Sequence, residues 1–236
     1  MHISGKPQKT KAPGLTKRLA LAAEYVRAGK TVADVGCDHG KLSAFLLKSE
    51  KTPFVYATDI REKPLQKTEK LLSELGLEGR YCCLRTDGLN GVPAGAAQDI
   101  VMAGIGADVT AHIISEAEWL CDEDIHLVLV PASKRERLRR FLAAEGFETE
   151  REEAVVDHDH CYTVMSIYYT GNKRDISVKE AWLGKIDTST PNGKEYLAQI
   201  IRRMNDVIEA VNDADNEHRI EAETFLEELN DNCSGT

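Results

Sequence analysis

The chain has 236 residues, of which 42% are hydrophobic and 29% are charged, a balance typical of a globular protein with a sizeable core. Its formal net charge of −9 arises in residues 205–231, which hold ten acidic residues and one arginine, so the rest of the chain is neutral and phosphate binding is not excluded. No apolar run approaches the length that spans a bilayer, and the polar residues 1–15 do not form a secretory signal, so we expect a cytoplasmic protein without a membrane partner.

Short apolar runs alternate with amphipathic segments through the first 170 residues. The apolar runs predict buried strands at residues 31–35, 54–58, 81–84, 99–103 and 125–130. The amphipathic segments predict helices at residues 15–28, 41–48, 62–75, 108–119 and 133–145, the last capped by Ser133. Residues 147–156 and 161–169 are expected to pair as antiparallel strands. This alternation predicts an α/β fold, in which helices cover both faces of a mostly parallel sheet.

The last third of the chain has a different pattern. Residues 171–193 are polar and irregular, and we interpret them as a linker between a domain of residues 1–170 and a helical region of residues 194–236. Apolar residues at spacings of four and three predict a coiled-coil-like seam, formed by Leu197, Ile201, Met204, Ile208 and Val211. The polar residues 212–216 interrupt this seam, so we expect two antiparallel helices, with one long helix as the alternative.

The polar turn after the first predicted strand, residues 34–41, is the most informative segment of the chain. Gly36 and Gly40 stand just before a predicted helix start, where a nucleotide-like ligand can approach the backbone and its free N–H groups. Asp34 and Asp38 would repel a pyrophosphate, and Asp38 replaces the second glycine of the dinucleotide fingerprint G-x-G-x-x-G. The turn therefore favours S-adenosylmethionine, a cationic ligand, over NAD or ATP.

Polar turns also follow the next three strands. Asp59 can accept both ribose hydroxyls of an adenosine, although it can also cap a helix. Asp87 can accept the exocyclic amine of adenine, although Asp-Gly is also an ordinary turn sequence. Gly104 and Gly106 let a flat base or a methyl group approach the backbone. Because ligands of parallel sheets bind outside the carboxyl ends of the strands, the four turns together predict one cofactor pocket.

Two other motifs have simpler interpretations. The run 158–161, His-Asp-His-Cys, fits no standard zinc spacing and falls in a predicted hairpin connection, and the six cysteines include no C-x-x-C pair, so we expect no metal site. Two basic clusters are solvated faces or contacts for RNA phosphates; they are Lys6, Lys9, Lys11, Lys17 and Arg18, and Lys134, Arg135, Arg137, Arg139 and Arg140.

Taken in order, these motifs resemble one family, the bacterial tRNA (adenine-22-N1)-methyltransferases, or TrmK family. The resemblance covers residues 15–171 and rests on Lys17-Arg18-Leu19, residues 33–40, Ala57-Thr58-Asp59-Ile60 with Pro64, Thr86-Asp87-Gly88-Leu89 and Ala103-Gly104-Ile105-Gly106. It implies a Rossmann-like class I methyltransferase with a C-terminal helical appendage. Such an enzyme moves a methyl group from S-adenosylmethionine to N1 of an adenine in the tRNA D-arm.

The resemblance also implies roles for particular residues. Asp38, His39 and Arg18 become candidates for handling the target base or its phosphate. The turns and the resemblance together predict that the cofactor-binding residues are Asp34, Gly36, Cys37, Gly40, Asp59, Ile60, Asp87, Gly88, Leu89, Ala103, Gly104 and Gly106.

Two turns depart from the family pattern. The family usually has Gly-Met-Gly-Gly after the fourth strand and Gln-Pro-Asn after the fifth, where this chain has Gly104-Ile105-Gly106-Ala107 and Val130-Pro131-Ala132. These changes leave two alternatives open: a methyltransferase that acts on a small molecule or a protein, and a cofactor-binding, RNA-associated protein without catalytic activity.

Overall fold

The structure, a computed structural model, describes residues 11–211 and 216–231. Seven strands form its centre: β1 (Val32–Val35), β2 (Val55–Asp59), β3 (Tyr81–Arg85), β4 (Asp99–Ala103), β5 (His126–Val130), β6 (Phe147–Asp157) and β7 (His160–Tyr169). They form one sheet in the order β3-β2-β1-β4-β5-β7-β6, in which the first five strands are parallel and β7 runs antiparallel to its two neighbours. The predicted mostly parallel sheet and the predicted antiparallel pair are both confirmed.

Helices cover both faces of this sheet. The helices of the first 170 residues are α1 (Lys17–Tyr25), α2 (Lys41–Lys48), α3 (Glu62–Glu74), α4 (Ala107–Glu116) and α5 (Arg135–Ala144). Successive strand residues point to opposite faces, so Val32 and Val101 pack with residues of α1, α2 and α3, whereas Ala33 and Ile100 pack with residues of α4 and α5. Every residue of β1 and β5 is buried as a result.

The strand order reverses direction between β1 and β4. From β1 the chain moves outward to β2 and β3, then returns to the other side of β1 and continues through β4 and β5. The helices that follow β1 and β4 therefore lie on opposite faces, which leaves a crevice at the carboxyl ends of these two strands. This crevice is the position at which a ligand is expected.

One predicted helix cap is wrong. Ser133 does not cap α5; Lys134 occupies the N-cap position with a positive φ of 55°, and no side chain caps the helix there. The Lys134 side chain makes a tertiary contact at this position, in which its Nζ donates to Asp108 Oδ2 of α4 at 2.5 Å. The chain turns one residue later than the Ser133 pattern indicated.

The predicted linker is partly helical. It contains α6 (Val178–Leu183), whose Ser177 cap accepts a hydrogen bond from the Glu180 N–H and whose Ala181 is fully buried. Six residues are too few for an apolar period to be recognised. The boundaries of the proposed domains stay a prediction.

Two further helices follow, as predicted: α7 (Pro191–Ala210) and α8 (Glu217–Asp231). Residues 212–215 of the predicted interruption lie outside the described residues. Tyr196 and Met204 of α7 and Phe225 of α8 share an apolar cluster with Ala154 and Cys161 of the β6–β7 pair. The helical region is therefore packed against the sheet.

A buried ion pair between α5 and β6, which we call the junction pair, connects these two elements with α6 and α7. Arg139 Nη2 of α5 lies 2.6 Å from Glu152 Oε1 of β6. Arg139 also donates to the carbonyl oxygens of Ala181 and Trp182, at 2.6 and 2.9 Å, and to Tyr196 Oη at 3.1 Å. The interpretation of Arg139 as part of a solvated or RNA-facing cluster is therefore wrong, since its side chain is only 4% exposed.

Candidate functional site

A cavity of about 330 Å³ opens at the carboxyl edge of β1, β2, β3 and β4. All four predicted polar turns contribute to its wall. Nine of the predicted site residues line it: Arg18, Gly36, Asp38, Asp59, Ile60, Asp87, Gly88, Ala103 and Gly104. We call this space the cofactor cavity, after the ligand that the turns predict.

The other six predicted residues lie outside this lining; they are Asp34, Cys37, His39, Gly40, Leu89 and Gly106. Cys37 and Leu89 are buried core residues, and Gly106 is the N-cap of α4. His39 is half-exposed, with its Nδ1 3.3 Å from Asp38 Oδ1. The predicted contacts of these six residues with a ligand stay predictions.

Asp34 stabilises the turn after β1 through a buried hydrogen bond. This side chain is 3% exposed, and Ser43 Oγ of α2 donates to its Oδ2 at 2.5 Å. Burial raises the pKa of Asp34 to about 6, against the opposing effect of the Ser43 hydrogen bonds. Asp34 therefore anchors the turn to the start of α2.

Gly36 and Gly40 are required by the geometry of this turn. Both have positive φ, 69° and 65°. A Cβ on Gly40 would lie 2.5 Å from Thr68 Cγ2, and a Cβ on Gly36 would lie 3.1 Å from Ile105 Cδ1 across the cavity. Glycine at position 36 thus keeps the gap between the turns after β1 and β4 open.

Asp59 at the end of β2 is a buried carboxylate with several donors. Its side chain is 3% exposed, and its Oδ1 accepts hydrogen bonds from Arg61 N at 2.8 Å and Arg61 Nε at 3.2 Å. Its Oδ2 accepts from Arg61 Nη2 and from the Asp38 N–H, both at 3.3 Å. The guanidinium that covers Asp59 is itself 64% exposed, so it can move without unfolding its surroundings.

Arg61 is a residue that sequence reasoning missed. Besides Asp59 it approaches Asp38, with Nη2 3.7 Å from Asp38 Oδ1. It therefore connects the carboxylate at the end of β2 with the carboxylate in the turn after β1. A charged residue two positions after Asp59 was the available signal, but exposed arginines are common and the sequence did not distinguish this one.

Asp38 is held in an unusual backbone conformation. Its φ is 49°, which is uncommon for a residue other than glycine. Thr68 Oγ1 donates to the Asp38 carbonyl oxygen at 3.0 Å, while the Asp38 N–H donates to Asp59. Its carboxylate stays 61% exposed at the cavity. The fold thus fixes the backbone, while the carboxylate, which pairs with the exposed side chains of His39 and Arg61, stays accessible to a ligand.

Part of the cavity wall is apolar. Ile60 and Val109 are large hydrophobic residues that are 61% and 52% exposed, and both line the cavity together with Ile105 and Ile113. Exposed apolar side chains that converge on one cavity are typical of a site for a flat apolar group. Val109, Ile105 and Ile113 were also missed, because their positions follow from α4 and its preceding turn rather than from a motif.

Hydrogen bonds tie the turns after β2 and β3 together. Thr58 Oγ1 donates to the Gly88 carbonyl oxygen at 2.9 Å, and the Thr86 N–H donates to the Asp59 carbonyl oxygen at 3.2 Å. The Asp87 residue is exposed beside Gly88 at the cavity. Its carboxylate is therefore available to a ligand that already contacts Asp59.

Arg18 of α1 closes one side of the cavity. Its N–H donates to Asp157 Oδ2 at 3.4 Å, and its guanidinium carbon lies 4.6 Å from the centre of the Tyr162 ring. Lys6 and Lys9, predicted to belong to the same basic cluster, lie outside the described residues. Arg18 thus supplies a positive charge that stacking holds in place.

The residues that the structure describes contain no group of three or more His, Cys, Asp or Glu side chains that could hold a metal ion. The run 158–161 comprises the two-residue turn between β6 and β7 and the first two residues of β7. His158 in this turn is exposed and pairs with Asp157. No helix among these residues is both long enough and apolar enough to cross a membrane.

The strand order and the polar cavity at the β1–β4 crevice define a Rossmann-like protein with a nucleotide-type site. A solved protein of the NADB-Rossmann superfamily from Streptococcus agalactiae has the same architecture, with 25% identity and a TM-score of 0.81 over 93% of this chain and 97% of that one. A family model described as a methyltransferase domain matches residues 15–165, and the chain belongs to that family.

Two further proteins similar to this chain are tRNA methyltransferases or carry the name TrmK. The tRNA (adenine(22)-N(1))-methyltransferase of Bacillus subtilis is 28% identical over 151 residues, which span 64% of this chain and 63% of the relative, less than two thirds of its length. The M. capricolum TrmK, solved with S-adenosyl-homocysteine, has the same fold, with 19% identity and a TM-score of 0.76 over 92% of this chain and 98% of that one. The resemblance noted in the turn motifs is thus confirmed.

Proposed function

We propose that this protein is an S-adenosylmethionine-dependent methyltransferase that modifies N1 of adenine 22 in the D-arm of tRNA. The observation that carries the proposal is the convergence of Asp38, Asp59 and Asp87 on one cavity in a chain of the methyltransferase domain family. The names of the B. subtilis and M. capricolum relatives supply the substrate and the cofactor. A tRNA substrate also agrees with the expected cytoplasmic location.

The residues of the cofactor cavity suit an adenosine-containing cation. Asp59 offers two buried carboxylate oxygens at the end of β2, which can accept a pair of ribose hydroxyls once the exposed Arg61 guanidinium moves away. Ile60 and Val109 can cover the two-ring base, and Asp87 can accept its amine. A turn that binds a diphosphate offers backbone N–H groups and no acidic side chains. The turn after β1 instead contains Asp34 and Asp38, which supports a cationic ligand rather than a dinucleotide.

For methyl transfer to N1 of adenine, the protein needs only to position the base and to stabilise the positive charge of the product. When bound, the cofactor supplies an electrophilic methyl group on a sulfonium. N1 of adenine already has a lone pair, so alignment of the base against that methyl group supplies most of the acceleration. The methylated base is cationic, and a carboxylate beside its N6 amine stabilises this charge or accepts the N6 proton.

Asp38 is the carboxylate that we assign to the target base. It is exposed at the cavity while its backbone is fixed by Thr68 and Asp59. We expect Asp38→Asn to keep cofactor affinity, measured by calorimetry, and to lower methyl transfer by about 100-fold or more. An equal loss of cofactor affinity would instead make Asp38 a cofactor contact. Arg18, which lines the same cavity, and His39, which pairs with Asp38, are assigned to the phosphate of the target nucleotide.

Methyl transfer to tRNA transcripts tests the function itself. A transcript with adenine at position 22 should accept a methyl group, and the same transcript with guanine there should not. Methylation of both, or of neither in the presence of bound cofactor, would contradict the proposed target. Calorimetry with S-adenosylmethionine is a separate test of cofactor binding. A methyltransferase that acts on another substrate would bind the cofactor, whereas a protein that is only a scaffold would not.

A further inference from the structure

We propose that a second cavity, between the start of α5 and the face of α7, binds the sugar-phosphate backbone of the tRNA beside the target nucleotide. This α5–α7 groove has a volume of about 480 Å³ and is lined in part by Ser133, Lys134, Arg135, Trp182, Tyr196 and Arg203. The inference rests on the proposed function, because it assigns to the same substrate a contact outside the cofactor cavity.

The groove and the cofactor cavity are lined by neighbouring turns, those after β5 and β4. Ile105, which lines the cofactor cavity, accepts a hydrogen bond at its carbonyl oxygen from the Ala132 N–H at 2.9 Å. Next to it, a Cβ on Gly106 would lie 3.4 Å from Ser133 Oγ. The loop after β5, which lines the groove, thus contacts the turn after β4, which lines the cofactor cavity. A polynucleotide with one base in the cofactor cavity would therefore have its neighbouring phosphates near this loop.

Two arginines in the groove lie on aromatic rings. The Arg135 guanidinium carbon is 5.3 Å from the centre of the Tyr196 ring, and that of Arg203 is 4.8 Å from the centre of the Trp182 ring. Among the described residues, no carboxylate lies within ion-pairing distance of either guanidinium. Their neighbours Lys134 and Arg140, by contrast, are paired with Asp108 and Glu221.

Stacking leaves the edges of a guanidinium available. A ring covers one face, while the N–H donors along the edge keep the fork geometry that fits a phosphate oxygen pair. Glu136 also lines the groove and limits its positive charge, which favours a contact with one or two phosphates over a broad electrostatic surface. The geometry fits a flexible, locally unpaired strand better than an A-form helix, whose phosphates are not presented one at a time.

The aromatic rings are themselves fixed. Tyr196 Oη donates to the Trp182 carbonyl oxygen at 2.9 Å and accepts from Arg139 Nη2 of the junction pair. Trp182 Nε1 donates to Glu221 Oε1 at 3.1 Å. The platform under both arginines is therefore assembled before any RNA arrives, which lowers the entropy lost on binding.

The test uses the double variant R135Q/R203Q in the full chain, with an adenine-22 tRNA transcript as the probe. We expect tRNA affinity to fall by about tenfold or more, and the slope of log affinity against log salt to become shallower by about 1 to 2, since two phosphate contacts are removed. Cofactor affinity by calorimetry should stay unchanged. R203Q alone, at an exposed position of α7, should show part of the same loss.

The control variant is R151Q. Arg151 also lies over an aromatic ring, 4.5 Å from the centre of Tyr25, but on β6 and outside the lining of both cavities. If the wild type methylates tRNA but R135Q/R203Q has unchanged tRNA affinity and salt slope, the proposal that the groove binds tRNA is overturned. The proposed function would then remain intact. A wild type that binds cofactor but no tRNA would overturn both. Equal losses in R151Q and the double variant would also overturn the groove, because they indicate a diffuse charge effect.

Discussion

Two arginine–carboxylate pairs in this molecule have the same chemistry and opposite surroundings. In the cofactor cavity, Asp59 is 3% exposed but its partner Arg61 is 64% exposed. In the junction pair, Arg139 and Glu152 are 4% and 0% exposed. An exposed guanidinium can exchange its carboxylate for solvent or a ligand at small cost, whereas separation inside the protein leaves an uncompensated charge.

The comparison assigns a different task to each pair. Asp59 keeps a buried carboxylate ready at the end of a strand, and Arg61 covers it without locking it. Arg139 instead satisfies Glu152, two carbonyl oxygens and Tyr196 at once, so it fixes the relative position of α5, α6 and α7. One pair is thus suited to ligand exchange and the other to permanent attachment.

The largest effect is expected at the junction pair. Glu152→Gln leaves the Arg139 charge buried without its partner and should lower the free energy of unfolding by about 3–5 kcal/mol. Urea denaturation measures this change. Glu145→Gln, which removes an exposed partner of Lys173, is the matched control and should stay within about 1 kcal/mol of wild type. Similar values for the two variants would mean that the junction pair does not fix the helices.

A smaller effect, on binding rather than folding, is expected at Asp59. Asp59→Asn loses the charge and one acceptor, so cofactor affinity should fall by about 100-fold, as measured by calorimetry. The same substitution at Asp108, on the same edge of the sheet but outside the cofactor cavity, should leave affinity unchanged. Unchanged cofactor affinity in the Asp59 variant would contradict the assignment of this carboxylate to the ribose hydroxyls.

The buried Asp34 should give a pH signature. Because burial raises its folded-state pKa from 3.8 to about 6, its contribution to stability is full below pH 4 and is lost as pH rises through about 6. Asp34→Asn does not show this pH-dependent loss, so from pH 3.5 to 7 the unfolding free energy of the variant should rise by about 3 kcal/mol relative to that of the wild type. Denaturant titrations at several pH values measure the difference.

Asp108→Asn gives the control of opposite sign. The hydrogen bond from Lys134 holds the pKa of Asp108 below its ordinary value, so the contribution of Asp108 is present at neutral pH and is lost as pH falls. A pH-independent difference between Asp34→Asn and wild type would show that Asp34 is not buried as a titrating acid.

The smallest effect is expected at Arg61. Arg61→Ala should change the free energy of unfolding less than Glu152→Gln does, because the guanidinium is exposed. It should strengthen cofactor binding by about two- to fivefold, since ribose hydroxyls no longer compete with Nε and Nη2 for Asp59. Arg85→Ala, which removes an exposed partner of Glu62, is the control. Weaker cofactor binding in Arg61→Ala would make Arg61 a ligand contact instead of a cover.

The sequence predicted the cavity turns because their signals are local. Gly36 and Gly40 need positive φ, and Asp59 and Asp87 follow apolar runs, so each turn is recognisable without its neighbours. The rule that parallel strands present their carboxyl ends at one edge then brings the turns together. Nine predicted residues line one cavity for this reason, although no single turn specified it.

Other features depended on partners that are distant along the chain. Arg139 belongs to a run of basic residues that is typical of a solvated face, and it is buried only because β6 places Glu152 beside it and α6 presents two carbonyl oxygens. Lys134, at the cap position of α5, pairs with Asp108 of α4, which is 26 residues away along the chain. Helix α6 is too short to show a period and is stabilised by the packing of Ala181.

The sequence by itself thus determined the α/β alternation, the glycine and acid content of the four turns, and a likeness to one family of methyltransferases, since these depend on neighbours within a few residues. Only the tertiary structure decided which charges are buried, which acids stay exposed at the cavity, and that Arg135 and Arg203 both line the α5–α7 groove. The physical reason is that the free energy of a charge depends on its dielectric surroundings and its partners, and both are set by elements far apart in the chain.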